Sequence, residues 1–549
     1  MSSSATPPER TGGSAVPRVS GDENDLGLGH LLELREAPIE LFARIKSECG
    51  EVGECDWAGT NVVLLSGPAA QEAFFRAPDS QLDQGEAYPF MKPIFGEGVV
   101  FDLPVEQRKH ALRTRALRDE HMRRHAEVIA RETEAMCDRL GDEGEIDLLE
   151  FFGELTTYTS TATLIGQEFR DDLAKKGGEF AQAFQGVERG TDAFAYVNPY
   201  LPLPSFRERD AAREKLVSLI TEILDKREEE QRRCRDLLQV MDSLIDENGE
   251  KKYSRSEITG MIIGMMLAGH HTSQGVASWT LIELLRNPEA YERVVAELDV
   301  LYADGRKVSF QSLREIPLLE GALKETLRLH PPLIILMRKV MHDFEYGGYT
   351  IEAGKLVAVS PAVSNRDPDY FPDPGAFDIE RYTDGRREDA KNPWAWIPFG
   401  GGRHKCVGSA FAMMQLKGIM SILLRRYHFE AAQPDHTYVD DHSKMVVHLR
   451  QPCRVRYRRR EVTRLDDASM RDLEAREQAE AASRPFRVVI DRDLCQGHAV
   501  CTAEAPEIFE LAEGGEVRVL QDAPRRELRR KAECAARYCP NHVIRIEDL

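Results

Sequence analysis

No hydrophobic run in this chain reaches the ~18 residues that a membrane-spanning helix needs. The longest apolar stretch, Met261 to Gly269, suits a buried helix segment instead. Residues 1–30 are Ser, Thr, Pro, Gly and charge, without the apolar core of a secretory signal, and read as a disordered tail. Basic residues are in deficit, 73 Lys and Arg against 93 Asp and Glu, for a net charge of −20. That sign repels nucleic acid and anionic membrane, so neither is expected as a partner. Cysteine is sparse and scattered, ten in 549 residues, rather than spaced as a disulfide scaffold; this points to a reducing compartment. No Gly-rich nucleotide fingerprint follows a strand, so no module of that kind is expected.

At 549 residues the chain exceeds one ordinary core, and two or more domains are expected. Its densest chemistry lies in the loop Trp396 to Gly408, ahead of a helical run from Ser409 to Arg426. The consecutive glycines Gly400, Gly401 and Gly402 let a backbone turn tightly and lie against a flat object. Cys406 ends the loop where the helix begins, so its thiolate faces backbone N–H donors and a positive helix end. A thiolate held that way is a good axial ligand for a haem iron and favours O–O cleavage. Arg403, His404 and Lys405 suit the negative haem propionates. The competing reading is a Gly-rich turn with a buried structural cysteine.

Ser254 and Glu257 have capping-box spacing and open a helix that Asn287-Pro288 stops after about Arg286, roughly 45 Å long at 1.5 Å per residue. In its middle stands Ala268-Gly269-His270-His271-Thr272, small residues then polar ones inside an apolar helix. That order suggests a local opening of the hydrogen-bond ladder, where a diatomic ligand or water enters. Glu325 and Arg328 share a helix face, which by itself is a surface ion pair of little worth. Residues Leu82 to Asp102 mix prolines, glycines and aromatics. They describe an irregular loop that either encloses a substrate or packs the core.

The full spacing F-x-x-G-x-[basic]-x-C-x-G resembles the haem-binding signature of the cytochrome P-450 superfamily, and Glu325, Arg328 and Arg381 resemble its buried triad. Within it, A-G-H-H-T-S through Ser273 and the loop positions Tyr88, Pro93, Phe95, Gly96, Val99, Phe101 and Asp102 resemble sterol 14α-demethylases. The resemblance implies a mainly α fold with small β-sheets and a haem b ligated by Cys406. It implies propionate contacts from Tyr88, Lys109, Arg338 and His404, although Lys109 also reads as a solvated helix lysine. It places Phe90, Met91, Phe95, Phe101, Leu333, Ile335, Met445 and Val446 around a sterol, and gives Glu325, Arg328 and Arg381 a structural role behind the cysteine loop. His271 stands where the superfamily usually has an acid. With Thr272 it is implied in proton delivery, since histidine titrates near neutrality; the alternative is a polar filler with water carrying the proton. The implied reaction is three successive monooxygenations with dioxygen, taking the 14α-methyl to alcohol, aldehyde and released formate. Rivals are a monooxygenase of fatty acids or terpenes, and a non-enzymatic haem and iron–sulfur redox sensor. Without the membrane anchor that many eukaryotic relatives carry, the expectation is a soluble, bacterial, cytoplasmic enzyme.

The first domain, expected over 31–460, ends in an alternating basic strand from Arg454. Residues 461–484 are charged and Ala-rich, and Thr463 with Asp466 offers a helix cap, so a semi-rigid tether is expected. The segment 485–549 reads as a small α+β unit with strands at Phe486–Ile490 and Val543–Ile546. Its Cys495, Cys501 and Cys539-Pro540 resemble bacterial single-cluster ferredoxins, with His498 at the position of the missing thiolate. That favours a [3Fe–4S] cluster, with a His498-ligated [4Fe–4S] cluster and a Cys3His zinc site as the alternatives. Cys534 reads as core packing on the preceding helix. A fused demethylase and ferredoxin, of the kind found in methanotrophs, would draw electrons from NAD(P)H through an external ferredoxin reductase.

Overall fold

The computed structural model describes residues 14–21, 27–96, 99, 119–173, 178–189, 199–232, 236–246, 248–303, 305–383, 385–442, 446–461, 485–492, 495, 497–512, 515–539 and 543–549. Phe101, Lys109, Met445, the tether 462–484 and Pro540 lie outside the described residues.

The helices that position the site are α1 (Asp119–Leu140), α2 (Leu148–Ser160), α3 (Pro204–Glu229), α4 (Arg255–Arg286), α5 (Pro317–Leu329) and α6 (Ser409–Arg426). Helix α4 is the axis. Ser254 Oγ accepts from Glu257 N while the Glu257 carboxylate accepts from Ser254 N, which closes the expected capping box. Buried residues fall on all its sides over 258–264 and 273–284, as they do on a helix that runs through a core. At Gly260 a Cβ would stand 1.7 Å from Phe95 O, so the helix and the 92–96 loop touch backbone to backbone and only glycine fits.

Beside the helices lies a five-stranded sheet made of β1 (Val52–Trp57), β2 (Thr60–Leu65), β3 (Leu82–Asp83), β4 (Leu336–Val340) and β5 (Leu356–Val359). Its order is β1-β2-β5-β4-β3, with β2 and β5 parallel and the other pairs antiparallel. Strand 454–459 alternates as its sequence suggests, with Val455 and Tyr457 inward and arginines outward.

The expectation of a disordered tail over 1–30 is corrected for residues 14–21 and 27–30. Ser14 N donates to Gly348 O, Glu54 N to Pro17 O and Val19 N to Glu54 O, and Val19 is only 2% exposed. Val16 and Val19 give the tail two places to anchor, and β1 supplies edge hydrogen bonds.

The C-terminal module has its own core of Phe486, Val488, Ile508, Phe509, Val517, Ala532 and Ala535. Its end strands, β6 (Phe486–Ile490) and β7 (Ile544–Asp548), pair antiparallel, and α7 (Arg529–Arg537) packs on them. The module lies against the larger domain, where Tyr538 OH donates to Arg314 O at 2.7 Å.

Candidate active site and cluster site

Halfway along α4 the burial pattern breaks. Ala268 is exposed and Gly269 to Thr272 are half-buried, although the helix is closed in on either side of them. The helix therefore borders an interior hollow. Thr272 Oγ1 donates to Ala268 O at 2.5 Å, the i−4 bond by which a threonine loosens a helix. His270 turns away toward α2, its Nδ1 2.8 Å from Thr157 Oγ1. The His271 ring lies 4.8 Å from that of His270 and 5.7 Å from that of His448.

Cys406 shows the same signature. Its side chain is exposed although the residue sits deep among protein atoms, so the thiol opens onto interior space. Burial pushes this thiol up; the N–H groups of Gly408 and Ser409 and the Lys405 ammonium oppose that shift. Cys406 N donates to Phe399 O at 2.9 Å and closes the loop. At Gly402, with φ +62°, a Cβ would lie 2.1 Å from Phe75 O, so the loop presses on α-helical backbone at 68–76. An open thiol and an open helix turn inside an otherwise closed core fit a flat thiolate-ligated group such as haem.

Arg338 on β4 is 2% exposed, and its Nη1 donates to Phe74 O at 2.9 Å and to Ala77 O at 3.3 Å. Its charge reaches the Tyr88 hydroxyl, which accepts from Met337 N at 3.0 Å. Burial raises the Tyr88 pKa, with Met337 N–H and Arg338 opposing. The His404 ring engages the Asp79 carboxylate through Nε2. Tyr88, Arg338 and His404 are thus described, while Lys109 is not. Of the expected sterol contacts, Phe90, Met91 and Phe95 are buried, and Leu333, Ile335 and Val446 are half-buried.

The triad is a closed network. Arg328 reaches Glu325 twice at 2.8 Å, and Arg381 Nε reaches the same carboxylate at 2.9 Å. All three residues are at most 1% exposed. Sequence reasoning missed the rest of the network. Tyr382 OH and Asp378 N also donate to Glu325, at 2.8 and 3.0 Å. Asn365 passes the network on to the cysteine loop, its Oδ1 accepting from Ile397 N at 3.0 Å. Also missed was Arg213 of α3, which donates to Ile94 O and Phe95 O at 3.2 Å and ties the 92–96 loop down. Nothing in its charged helix distinguishes it from its neighbours.

In the module, Cys495, Cys501, Cys539 and His498 line one cavity, closed otherwise by Ile490, Val500, Val517, Val543 and Ile544. Burial and the neighbouring thiols Cys539 and Cys495 push Cys501 up to about 12. Among the described residues no three His, Cys, Asp or Glu side chains converge on a single metal ion. Thiols around an apolar hollow fit a cluster, whose corners lie apart, better than one ion with ligands at ~2.3 Å. Cys534 lies on α7, as expected, but is half-buried and outside the module's core, which corrects its reading as core packing.

The comparisons accord with this geometry. A family model of Cytochrome P450 matches residues 22–456, and the chain belongs to that family. A second, the 4Fe-4S single cluster domain, matches residues 488–546. Among curated proteins, the chain is 56% identical over 448 residues to a sterol 14alpha-demethylase of Mycolicibacterium vanbaalenii, covering 81% of this chain and 98% of that one. It is 35% identical over 445 residues to a sterol 14-demethylase of Arabidopsis thaliana, covering 79% and 90%. Among solved structures, retinoic acid bound cyanobacterial CYP120A1 superposes with a TM-score of 0.71 at 21% identity, over 81% of this chain and all of that one, a likeness of fold. No helix among the described residues is long and apolar enough to cross a membrane.

Proposed function

We propose that the chain is a sterol 14α-demethylase that takes its electrons from its own C-terminal module. The observation that carries this is 56% identity to a sterol 14alpha-demethylase over 98% of that protein's length. Cys406 would ligate the haem iron, with Tyr88, Arg338, His404 and Lys109 near the propionates. When bound, a thiolate-ligated haem supplies dioxygen activation. The remaining work falls to the chain. Phe90, Met91, Phe95, Leu333, Ile335 and Val446 would form an apolar wall that seats a lanosterol-like sterol and excludes water, and the family resemblance gives Phe101 and Met445 the same role. Thr272 Oγ1 and the His271 imidazole hold and pass protons beside it. The 14α-methyl leaves as formate after three oxygenations.

In the module, Cys495, Cys501 and Cys539 would hold a [3Fe–4S] cluster, because His498 replaces a thiolate of the four-iron pattern. An oxidised three-iron cluster is paramagnetic and an oxidised four-iron one is not, so electron paramagnetic resonance separates them; an oxidised protein whose only signal is that of ferric haem refutes the three-iron reading. An NAD(P)H-dependent ferredoxin reductase is the expected external donor. Ten cysteines scattered through 549 residues, rather than spaced as a disulfide scaffold, support a reducing, cytoplasmic setting.

The test is product analysis with lanosterol, NADPH and a ferredoxin reductase, adding no separate ferredoxin. A 14-demethylated sterol upholds both halves of the reading. No product from enzyme with an intact reduced-CO spectrum refutes the substrate or the internal donor, and added ferredoxin then tells which.

A further inference from the structure

The face of the larger domain behind Cys406 is covered by the chain's own module. Arg314 ion-pairs with Glu504, their side chains only 12% and 10% exposed. The Arg314 carbonyl accepts from Tyr538 OH at 2.7 Å, and the Tyr538 ring lies 5.2 Å from the Arg314 guanidinium carbon and 5.6 Å from Lys417 Nζ. A second, more open pair joins Arg76 to Asp491 of the module at 3.1 Å. Arg314 also lines a cavity of about 120 Å³ whose wall includes Lys405 and Val407 on one side and His498, Tyr538 and Cys539 on the other. The residues flanking Cys406 and the module's Cys539 thus line one shared hollow.

These contacts differ in weight. A half-exposed pair such as Arg76–Asp491 contributes little beyond orientation. A nearly buried pair is different, because removing one partner strands a desolvated charge. A tyrosine whose hydroxyl finds a buried carbonyl and whose ring meets two cations adds both area and direction.

We propose that Arg314 anchors the module on this face through Glu504 and Tyr538, so that the chain's own module, and not a separate iron–sulfur protein, occupies it. The inference rests on the reading of the module as electron donor. Anchored, Cys495, Cys501 and Cys539 would hold a cluster close behind the Cys406 loop, where it would supply the haem with single electrons drawn from NAD(P)H through the reductase. The tether keeps an unlatched module at roughly millimolar effective concentration, so the anchor sets occupancy and not mere encounter.

The experiment compares full-length holoprotein with R314E, E504R and the double reversal R314E/E504R. Small-angle scattering reads compaction, and hydrogen exchange reads protection at residues 312–314 and 535–539. Each single variant should raise the radius of gyration and lose that protection, and the double variant should regain both. Reduction of haem by the photoreduced module under carbon monoxide should fall about tenfold or more in the singles and recover in the double. Singles indistinguishable from wild type overturn the proposal. So does a double variant that stays open while haem and cluster spectra are intact. Scattering and exchange need no sterol, so an enzyme inactive on sterols that R314E still opens upholds the anchor and refutes only the substrate reading.

Discussion

Replacing Glu325 by Gln tests whether the triad is what holds the cysteine loop. The carboxylate receives five donors: two from Arg328, one each from Arg381, Tyr382 and Asp378 N. An amide at the Oε2 position turns an N–H toward Arg328 Nε, where two donors then meet. Tyr382 OH can rotate to accept, so it loses little. Charge weighs more, since both guanidinium groups stay buried with Glu325 neutral. Breaking such a pair from one side costs about 3–5 kcal/mol. Here Arg381 keeps Glu388 at 3.1 Å, and the arginines keep the carbonyls of Pro372, Asp373, Pro374 and Ala376. The lower end, about 3 kcal/mol, is therefore expected, more than a hundredfold at ~1.4 kcal/mol per tenfold. Urea unfolding followed at the haem absorbance and at tryptophan fluorescence reads it, and the reduced-CO spectrum reports whether the loop still presents a thiolate. A shift below about 1 kcal/mol with an unchanged spectrum would refute the reasoning.

Burial pushes the Glu297 carboxyl up to about 7, against the N–H groups of Leu318 and Leu319. A raised acid pKa favours the folded state below the ordinary value, about 4.3, and that contribution is lost as pH rises to about 7. Relative to E297Q, wild type should therefore lose about 2–3 kcal/mol between pH 5 and pH 8; parallel pH–stability curves would rule this out. Gly260→Ala places a carbon 1.7 Å from Phe95 O and must push the 92–96 loop off α4. Sterol binding, read as a spectral shift of the haem, should weaken by about tenfold or more, and unaltered affinity would count against the loop as cavity wall. Arg213→Met removes the bonds to Ile94 O and Phe95 O and should speed sterol release with little change in haem content, measured by stopped flow. Thr272→Ala should lower sterol product per NADPH consumed while sterol binding holds; unchanged coupling would remove Thr272 from proton delivery.

What could be read in advance depended on whether the physics is local. The capping box at Ser254 and Glu257, the stop at Asn287-Pro288 and the tight turn at the glycines before Cys406 each act over a few residues, and the structure has them as read, although Gly401 and Gly402 press on Phe75 and Trp394. The triad was legible only as a family pattern, because Glu325 and Arg381 are 56 residues apart and burial alone makes their pairing matter. Asn365, Tyr382 and Arg213 carry no spacing signal at all; each acts through a partner brought near by the whole fold. The Asp79 partner of His404 lies 325 residues upstream, and nothing local to the cysteine loop announces it.

The face between the two redox units was hidden for a related reason. A docking surface is often sought in net charge, which steers encounter, yet the module is near balance and its sequence predicts no dock. The contacts that hold it are few and individually placed: Arg314 with Glu504, Tyr538 on a backbone carbonyl, Arg76 with Asp491. Burial also makes the Glu320 carboxyl costly to ionise, but Lys417, Lys324 and Arg537 more than offset that, so it stays charged below the usual carboxylate range. One of those cations, Arg537, comes from the module, so docking itself helps hold Glu320 ionised. Stability from this carboxylate is present above its ordinary pKa and is lost as pH falls through the lowered one. Acid should therefore loosen the dock at the same time as it loosens the α5–α6 packing, where Lys417 and Glu320 meet at 2.9 Å. Module and cysteine-loop face are coupled through one shared carboxylate, a link that neither half of the sequence expresses alone.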